Sequence, residues 1–440
     1  VGYVGLVTAT CFAHMGNKVI GVDDDRQKIK LLEQGNIPIY EPLLDQMVAN
    51  AVKEGRLVFT EYVEEGVRSC QVVFICVGTP PLDSGEADLS SVEGVARRIA
   101  EVAEGYKLIV EKSTVPVQTG LWIEKTLRSY SRAEKSRFDV ASNPEFLREG
   151  SAVEDFLHPD RIVVGVQSEG AERTLRALYD PVIRGLFHCP VHQECPKRGE
   201  VPFLVTDIAS AELIKHASNS FLAMKVSYIN VIADLCERVG ADVLKVAEGM
   251  GLDRRIGRAF LNAGIGFGGF CFPKDVQAFI RIGEKYGCDL SLLREVERIN
   301  RERIDVVLRK LQDHLCVLRG KTIAVLGLSF KPDTDDIRFA PAVELIRRLQ
   351  EEGADVRTYD PKAMPKAQEV LESVQFCADP YGALDSVDAG VIVTEWEEFK
   401  RLDLLRVKQQ MRRPLIIDGR NIFDRKLMES LEIEYSGIGR

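Results

Sequence analysis

A cysteine in a glycine-rich segment gives the clearest chemical signal in the chain. Cys271 lies in GIGFGGFCFPKD (residues 264–275), where four glycines allow the backbone to approach a ligand closely. Pro273 fits the first turn of a helix, so the thiol is predicted to lie beside unpaired helix N–H groups. Those groups and Lys274 favour the thiolate, and Asp275 is near enough to accept a proton. The segment predicts a nucleophilic cysteine; the alternative is a buried cysteine in a turn.

A pair of glycines near the start of the chain indicates a dinucleotide site. Gly2-x-x-Gly5 leads into a predicted helix over residues 6–15, whose first N–H groups would bind a pyrophosphate. The next apolar run ends at Asp23, about twenty residues past the glycines, where an acidic residue binds a ribose 2′-hydroxyl. Asp23 and the two aspartates after it would repel a 2′-phosphate, so the sequence predicts NAD rather than NADP. The alternative is a structural turn.

Composition and charge exclude several classes of protein. The 440 residues suffice for two or three domains, and no apolar run approaches the roughly 20 residues that span a bilayer. The net charge of −9 argues against a nucleic-acid or membrane partner, and an anionic substrate would need locally clustered cations. Ten irregularly spaced cysteines favour a reducing, cytoplasmic compartment over a disulfide framework.

The order of apolar and amphipathic stretches predicts an α/β fold. Residues 1–196 and 311–440 alternate short apolar runs with helical stretches, which indicates parallel sheets covered on both faces. Residues 197–310 are mostly helical and include a long run, about 206–239, without proline or glycine. We therefore predict two Rossmann-like, doubly wound parallel-sheet domains, joined by a helical middle with a long central helix. The long helix would also supply a dimer surface.

Several motifs occur in the order found in one known family. They are GYVGL (2–6), VGTP (77–80), KSTVP (112–116), NPEFLRE (143–149), GLDRRIG (251–257) and FKP (330–332). With the cysteine segment, they make the chain resemble the nucleotide-sugar 6-dehydrogenases. That family carries a sheet strand before its first glycine, so we expect roughly ten residues to precede Val1 in the intact protein.

The resemblance implies an enzyme that oxidises a nucleotide sugar by four electrons, with NAD as cofactor. Cys271 would form a thiohemiacetal and then a thioester with the substrate. UDP-glucose is the expected sugar nucleotide, giving UDP-glucuronate, because GLDRRIG resembles that branch best. The same chemistry on GDP-mannose or UDP-N-acetylmannosamine, a two-electron hydroxyacid dehydrogenase, and a non-catalytic NAD-binding scaffold are the alternatives.

The resemblance also implies roles for single residues. Lys215 and Asn219, four residues apart on one helix face, would polarise or deprotonate the hydroxyl and stabilise the oxyanion. Asp275 and Glu145 are the carboxylates expected to activate water or relay protons, and the choice of base stays open. The catalytic set is Cys271, Lys215, Asn219, Asp275, Glu145 and Thr114. The expected cofactor contacts are Gly2, Tyr3, Val4, Asp23, Lys28, Thr79, Thr114, Glu149, Lys274 and Arg338. The expected substrate contacts are Glu145, Phe146, Leu147, Lys215, Asn219, Arg255, Phe267, Gly268, Lys331 and Arg420.

Without the resemblance, several of these residues have ordinary structural alternatives. Thr79, Thr114 and Glu149 could each be a helix cap, and Lys215 with Asn219 could form a solvated helix face. Arg255 resembles an arginine that reaches the substrate of a neighbouring subunit, which implies a homodimer.

Two features depart from the family pattern. Phe270 stands where many relatives have serine, and Phe339 follows Arg338 where relatives often carry an acidic residue. A separate segment places His188, Cys189, His192 and Cys195 within eight residues. Two histidines and two cysteines suit tetrahedral zinc, but the spacing is tight. We therefore predict a variable surface loop there and no metal.

Overall fold

The computed structural model describes residues 1–132, 136–195 and 199–440. It divides into two compact units. The first comprises Val1–Ser218 and Gln277–Lys285, and the second comprises Asn219–Val276 and Tyr286–Arg440. The predicted helical middle, 197–310, is thus shared between both units.

The strands described in the first unit form two sheets. They are β1 (Val19–Val22), β2 (Leu57–Thr60), β3 (Val72–Ile75), β4 (Tyr106–Glu111), β5 (Arg137–Ser142), β6 (Ile162–Gly165) and β7 (Phe203–Thr206). β1 and β2 pair in parallel, and the other five follow the order β3-β4-β5-β6-β7. β5 and β6 meet antiparallel at Ser142 and Gly165, a local departure from the predicted parallel sheet. Because β7 pairs with β6, this sheet extends beyond the predicted domain boundary at residue 196.

Helices cover both faces of these sheets. They are α1 (Tyr3–His14), α2 (Arg26–Glu33), α3 (Leu44–Lys53), α4 (Val63–Ser69), α5 (Ser90–Val102), α6 (Thr119–Tyr130), α7 (Ala152–Leu157) and α8 (Glu169–Arg184). One core cluster contains α1, α3, α7 and α8, and another contains α5 and α6. Apolar strands such as β4 are buried along nearly their whole length, as expected for a sheet with helices on both faces.

Long helices lead into the second unit. They are α9 (Ile208–Val239), α10 (Val243–Gly251), α11 (Cys271–Lys285) and α12 (Ser291–Leu315). The predicted long central helix is α9, with 32 residues. Both α9 and α11 contain residues of each unit.

The rest of the second unit is a doubly wound α/β fold. Its strands are β8 (Thr322–Leu326), β9 (Asp355–Tyr359), β10 (Val374–Phe376), β11 (Ala389–Ile392), β12 (Leu415–Asp418) and β13 (Glu434–Gly437). Its helices are α13 (Pro341–Glu351), α14 (Met364–Gln368), α15 (Pro380–Leu384), α16 (Glu397–Lys400), α17 (Leu404–Gln410) and α18 (Arg425–Ser430). All strand pairs are parallel, in the order β10-β9-β8-β11-β12-β13, which is the Rossmann order. The predicted fold class is confirmed. Across the described ranges, every helix is too short or too polar to cross a bilayer.

Candidate active site

The cysteine predicted to be a nucleophile stands at the start of a helix. Cys271 is the first residue of α11 and is half-buried, and Pro273 lies in the first turn, as the sequence predicted. N–H groups at a helix start carry partial positive charge, which favours a thiolate over a thiol. The position suits a cysteine that adds to an electrophilic carbon.

The carboxylate of Asp275 joins two other predicted site residues. Its Oδ1 accepts a hydrogen bond from Lys274 Nζ at 2.6 Å, and its Oδ2 accepts one from Asn219 Nδ2 at 2.7 Å. All three side chains are buried. Because Asp275 follows Cys271 by four residues on α11, the carboxylate and the thiol share one helix face. An acceptor, a cation and an amide therefore lie one helical turn from the thiol.

Side-chain amides fasten the glycine-rich segment that precedes the cysteine. Asn300 on α12 accepts the N–H of Phe267 at 2.8 Å and donates to the Phe267 carbonyl at 2.9 Å. Asn230 on α9 accepts the N–H of Gly264 at 2.8 Å. These bonds satisfy backbone groups that a loop would otherwise leave unpaired, so they fix the loop conformation.

The same segment also packs closely against the C-terminal part of its unit. A Cβ on Gly268 would lie 2.3 Å from the carbonyl oxygen of Phe339, so only glycine permits this approach. Arg420 donates from Nη1 to the Gly266 carbonyl at 3.0 Å and from Nε to the Val393 carbonyl at 2.7 Å. The guanidinium of Arg420 thus links the glycine-rich segment to the residue that follows β11.

The unusual aromatic residue before the cysteine is covered by a cation. The guanidinium carbon of Arg338 lies 4.3 Å from the centroid of the Phe270 ring. Arg338 also pairs with Asp336, whose Oδ2 lies 2.7 Å from Nη2. The Lys331 ammonium, in the same connection, lies 5.7 Å from the ring centroid of Phe330. Phe270 therefore positions Arg338 by stacking, an interaction that serine could not make.

A second buried ion pair lies in the first unit. Lys215 Nζ donates to Glu145 Oε1 at 2.8 Å and to the Glu145 carbonyl oxygen at 2.7 Å. Glu145 Oε2 accepts the N–H of Leu147 at 2.5 Å, and the Phe146 ring centroid lies 5.5 Å from Lys215 Nζ. The segment after β5 therefore surrounds the amine, and these four predicted residues form one cluster.

The predicted dinucleotide turn lies in the first unit. Gly2 precedes α1, and Asp23 follows β1. Asp23 Oδ2 accepts a hydrogen bond from Lys28 Nζ at 2.8 Å. A Cβ at Gly2 or Gly78 would meet no atom within 4 Å. The open helix start and the strand-end carboxylate fit a dinucleotide.

The first turn of α1 is tied to the segment around Glu149. The hydroxyl of Tyr3 hydrogen-bonds to Glu41, whose carboxylate also accepts the N–H groups of Gly150 at 2.6 Å and Ala152 at 2.7 Å. Burial raises the pKa of both Tyr3 and Glu41. This network fixes the loop next to Glu149 against the glycine turn.

Two predicted threonine contacts lie after neighbouring strands. Thr79 follows β3 and its hydroxyl donates to the Thr114 carbonyl at 2.8 Å; Thr114 follows β4. Thr79 is buried and Thr114 is half-buried. Val4, the second residue of α1, is also half-buried. Neither threonine precedes a helix as a cap residue, because α5 starts at Ser90 and α6 at Thr119.

Two buried ionisable residues at the end of β4 were not predicted as site residues. Burial raises the pKa of Glu111 to about 8 and lowers the pKa of Lys112 to about 8. Glu111 accepts the N–H of Ser113 at 2.7 Å, and Lys112 Nζ donates to Asn143 Oδ1 at 3.1 Å. Lys112 therefore connects the KSTVP and NPEFLRE motifs.

Arg255 differs from the other predicted substrate residues because it is exposed. It lies beyond α10 and pairs with Asp253, with Nη2 and Oδ2 2.6 Å apart. Within the second unit it therefore points to solvent, whereas Asn219 and Arg420 are largely enclosed.

Sequence reasoning missed the amides that fasten the loop. Asn230 follows Asn219 by eleven residues, about three helical turns, so it shares the face of α9 that carries Lys215. That spacing is a signal that could have found it. Asn300 lies in a strongly charged helix, and no local pattern distinguishes it.

A glycine turn at a helix start, a carboxylate at a strand end and a cysteine at a helix start are features expected of NAD-dependent oxidoreductases, and comparisons with known proteins show that class. Sequence models of the UDP-glucose/GDP-mannose dehydrogenase family match the NAD binding domain at 1–183, the central domain at 209–302 and the UDP binding domain at 324–425. The chain therefore belongs to the UDP-glucose/GDP-mannose dehydrogenase family.

Individual relatives match over the full chain. UDP-glucose 6-dehydrogenase TuaD of Bacillus subtilis is 46% identical over 440 residues, which are 100% of this chain and 92% of the relative. The solved structure of a UDP-glucose dehydrogenase from Pyrobaculum islandicum gives a TM-score of 0.89 at 40% identity, covering 100% of this chain and 96% of that one. A UDP-D-ManNAc dehydrogenase from Pyrococcus horikoshii gives 0.85 at 28% identity, with coverage of 100% and 97%.

Proposed function

We propose that this enzyme oxidises the primary alcohol of UDP-glucose to a carboxylate, producing UDP-glucuronate with NAD as the oxidant. Family membership and the relatives named UDP-glucose dehydrogenase support this substrate. The observation that carries the chemistry is the buried Asp275 carboxylate, which binds both Lys274 and Asn219 one helical turn from Cys271. A two-electron dehydrogenase would need no thiol there.

The first unit would hold the cofactor. The N–H groups that follow Gly2 would bind the pyrophosphate, and Asp23, held by Lys28, would bind the ribose hydroxyls. Tyr3, Val4, Thr79, Thr114 and Glu149 are proposed to line the same site. When bound, NAD accepts the electrons that leave the substrate in each of the two oxidations.

The alcohol would first be oxidised to an aldehyde. Lys215, paired with Glu145, would polarise the hydroxyl, which must lose its proton as the C–H electron pair departs. Asn219 would donate its amide N–H to the oxygen that becomes negative. Lys215 and Asn219 lie about one turn apart on α9.

The aldehyde would then be captured by sulfur. The Cys271 thiolate adds to the carbonyl carbon, a C–S bond forms, and the carbonyl oxygen takes a proton to give a thiohemiacetal. A second oxidation removes a hydrogen with its electron pair and one proton, which leaves a thioester. Water attacks the thioester, the C–S bond breaks, and the carboxylate product leaves as the thiolate is restored. Asp275 and Glu145 are the proposed proton acceptors for that water.

Side chains of the second unit would hold the nucleotide sugar. Lys331 and Arg420 are proposed to contact the diphosphate or uridine, with Phe267 and Gly268 against the sugar. Arg338, a proposed cofactor contact, would be oriented by the Phe270 ring. Lys331 and Arg420 would supply the local positive charge that an anionic substrate needs from a chain of net charge −9.

We also propose a homodimer formed through α9. Phe221, Tyr228, Val231 and Leu235 are 58%, 52%, 43% and 54% exposed, and their spacing places them along one side of the helix. Such a stripe on a single helix is suited to packing against a second copy. Arg255 is proposed to reach the substrate of the partner from its exposed turn. Multi-angle light scattering should give a dimer for the native chain and a monomer for Tyr228→Glu.

A reducing, cytoplasmic compartment is proposed for the same chemistry. No disulfide joins the cysteines of the described residues, and the proposed nucleophile must stay reduced to react.

The stoichiometry of cofactor reduction tests the proposed reaction. We expect two NADH per UDP-glucose consumed, measured with a panel that includes GDP-mannose and UDP-N-acetylmannosamine. One NADH per sugar would reject the four-electron reaction, and faster turnover of another sugar would change the assigned substrate. Slowing hydrolysis should trap a substrate-derived acyl group on Cys271, detectable by peptide mass spectrometry.

A further inference from the structure

Two histidines and two cysteines of the first unit converge outside the proposed active site. One ligand atom from each of His158, Cys189, His192 and Cys195 lies within 4.8 Å of the other three. The sequence suggested His188 as the fourth member, but the carbonyl of His188 contacts His14 Nε2 at 2.6 Å. His158, about 30 residues earlier, takes that place; tertiary structure alone brings it there. We propose that these four side chains bind a zinc ion.

The distances between the ligand atoms fit the edges of a zinc tetrahedron. Zn–S bonds of about 2.3 Å and Zn–N bonds of about 2.05 Å at tetrahedral angles place S and N about 3.6 Å apart. Cys189 Sγ lies 3.1 Å from His158 Nε2 and 3.5 Å from His192 Nδ1. Cys195 Sγ lies 3.6 Å from His158 Nε2. Three measured edges therefore match the expected size within about half an ångström.

The charges and outer contacts also suit zinc. Two thiolates and two neutral imidazoles cancel the charge of Zn²⁺, so a half-buried position costs little. The backbone N–H of His192 donates to Cys189 Sγ at 3.3 Å, which offsets negative charge on the sulfur. The second ring nitrogen of His192 lies 3.5 Å from Glu154 Oε1. A carboxylate on the far side of a histidine is the common orienting partner of metal-bound imidazole.

The elements that supply the ligands indicate a structural role. His158 directly follows α7, while the other three lie in the connection between α8 and β7. A metal bound by these side chains would link the described part of that connection to the end of α7. Four protein ligands fill the zinc coordination shell, so the site would stabilise the fold and leave catalysis to Cys271. The inference is independent of the proposed reaction.

Metal analysis of the full-length protein tests the site. The protein should be produced with zinc in the medium and without a polyhistidine tag. Mass spectrometry of the metals should then find about one zinc per chain. Cys189→Ser/Cys195→Ser and His158→Ala should lose most of that zinc. His188→Ala, in the same loop, and Cys288→Ser, an exposed cysteine elsewhere, should keep it. Chelation should lower the Tm of the native chain and of these two controls.

Three other results would contradict the proposed zinc site. They are less than about a tenth of a zinc per native chain, retention of zinc by the double cysteine variant, or a Cys189–Cys195 disulfide in peptide maps. If the variants do not fold, the absorption spectrum of the native chain with cobalt substituted for zinc tests the proposed site. Tetrahedral d–d bands with thiolate charge transfer support the site, and an octahedral spectrum without charge transfer rejects it.

Discussion

Within the part of the chain that the structure describes, each of the two units contains a buried lysine–carboxylate pair, and the two pairs are built alike. The side chains of Lys215 and Glu145 in the first unit are 4% and 5% exposed; those of Lys274 and Asp275 in the second are 4% and 1% exposed. Each carboxylate also accepts a further hydrogen bond, from a backbone N–H in the first case and from Asn219 in the second. In both, the amine and the carboxylate are fully desolvated and mutually satisfied.

An exposed ion pair in the same molecule provides a comparison for the energetic cost of burying these charges. Arg255 pairs with Asp253 at a similar distance, but its side chain is 89% exposed and its charge is screened by water. Removing two charges from water costs several kcal/mol per ion, and their attraction repays that cost only with good geometry. Stability therefore does not explain the two buried pairs. Three of their four residues belong to the proposed catalytic set, and Lys274 is a proposed cofactor contact. The Lys28–Asp23 pair, which is partly exposed, lies between the extremes.

The largest effect on activity is expected from substitution of Cys271, the proposed nucleophile, which lies one helical turn from the buried Lys274–Asp275 pair. Cys271→Ala should lower formation of the acid product by about 10³-fold or more, because the aldehyde can no longer be captured. Cys288→Ser, which changes an exposed cysteine, should retain normal activity. The measurement is acid product per enzyme by chromatography. Unchanged product formation in Cys271→Ala would remove the thioester step from the mechanism.

Breaking the pair in the first unit should have the next largest effect. Lys215→Met leaves the Glu145 carboxylate buried without its cation, so we expect kcat to fall about 10²-fold and the Tm to fall as well. Lys245→Met serves as the control, because that lysine is exposed. If kcat changes no more than in the control, Lys215 is structural only.

A double substitution separates stability from chemistry in the second pair. Asp275→Asn should lower stability by about 3 kcal/mol and kcat by tens-fold, because Lys274 stays buried and charged. Lys274→Met/Asp275→Leu removes both charges and should recover much of the stability while staying inactive. Urea unfolding and steady-state kinetics measure the two properties. Recovery of activity in the double variant would contradict a chemical role for Asp275.

Substitution in the partly exposed Lys28–Asp23 pair should have a smaller effect on activity, confined to cofactor binding. Asp23→Ala should raise the KM for NAD by about tenfold, the value of one hydrogen bond to a charged group, with kcat little changed. Discrimination against NADP should weaken in parallel. Asp24→Asn, at the exposed neighbouring position, is the matched control. A large fall in kcat with an unchanged KM would place Asp23 outside the cofactor site.

The smallest effect concerns a buried carboxylate that has no lysine partner within the described residues. Burial raises the pKa of Glu111 from 4.5 to about 8. The folded state therefore keeps a proton that the unfolded state releases, and stability should fall as the pH rises from 5 to 8. Glu111→Gln should reduce that fall by a few kcal/mol at most, measured as the free energy of unfolding at both pH values. An equal fall in both proteins would mean that Glu111 is ionised in the fold. Glu212, whose pKa burial raises to about 7, adds a smaller fall to both proteins.

Local patterns predicted most of the fold because its strands and helices have strong periodicity. Alternating apolar and helical stretches predicted the two parallel-sheet regions, and α9 lies within a few residues of the uninterrupted stretch predicted over about 206–239. No local pattern distinguishes β7 and β13, because they are short edge strands with mixed exposure whose pairing depends on a distant neighbour. The domain boundary at residue 196 stays a prediction, and β7 lies beyond it.

At the candidate site, too, the sequence predicted the features that depend on local pattern and missed those that depend on distant contacts. The glycine-rich segment and Pro273 predicted that Cys271 begins a helix, and α11 does begin there. The amides Asn230 and Asn300 were not found, because a single buried asparagine has no sequence signature until the loop it fastens is placed beside it.

Taken alone, the sequence determined the elements of this protein: which segments form strands and helices, where the glycines bend the chain, and which residues could react. Backbone preferences and side-chain spacing act over a few residues, so they can be read along the chain. Only the tertiary structure decided which charges are buried together, that Phe270 supports Arg338, and that His158 rather than His188 joins the cysteine loop. Those outcomes depend on contacts between residues far apart in sequence, whose energies arise only once the chain has folded.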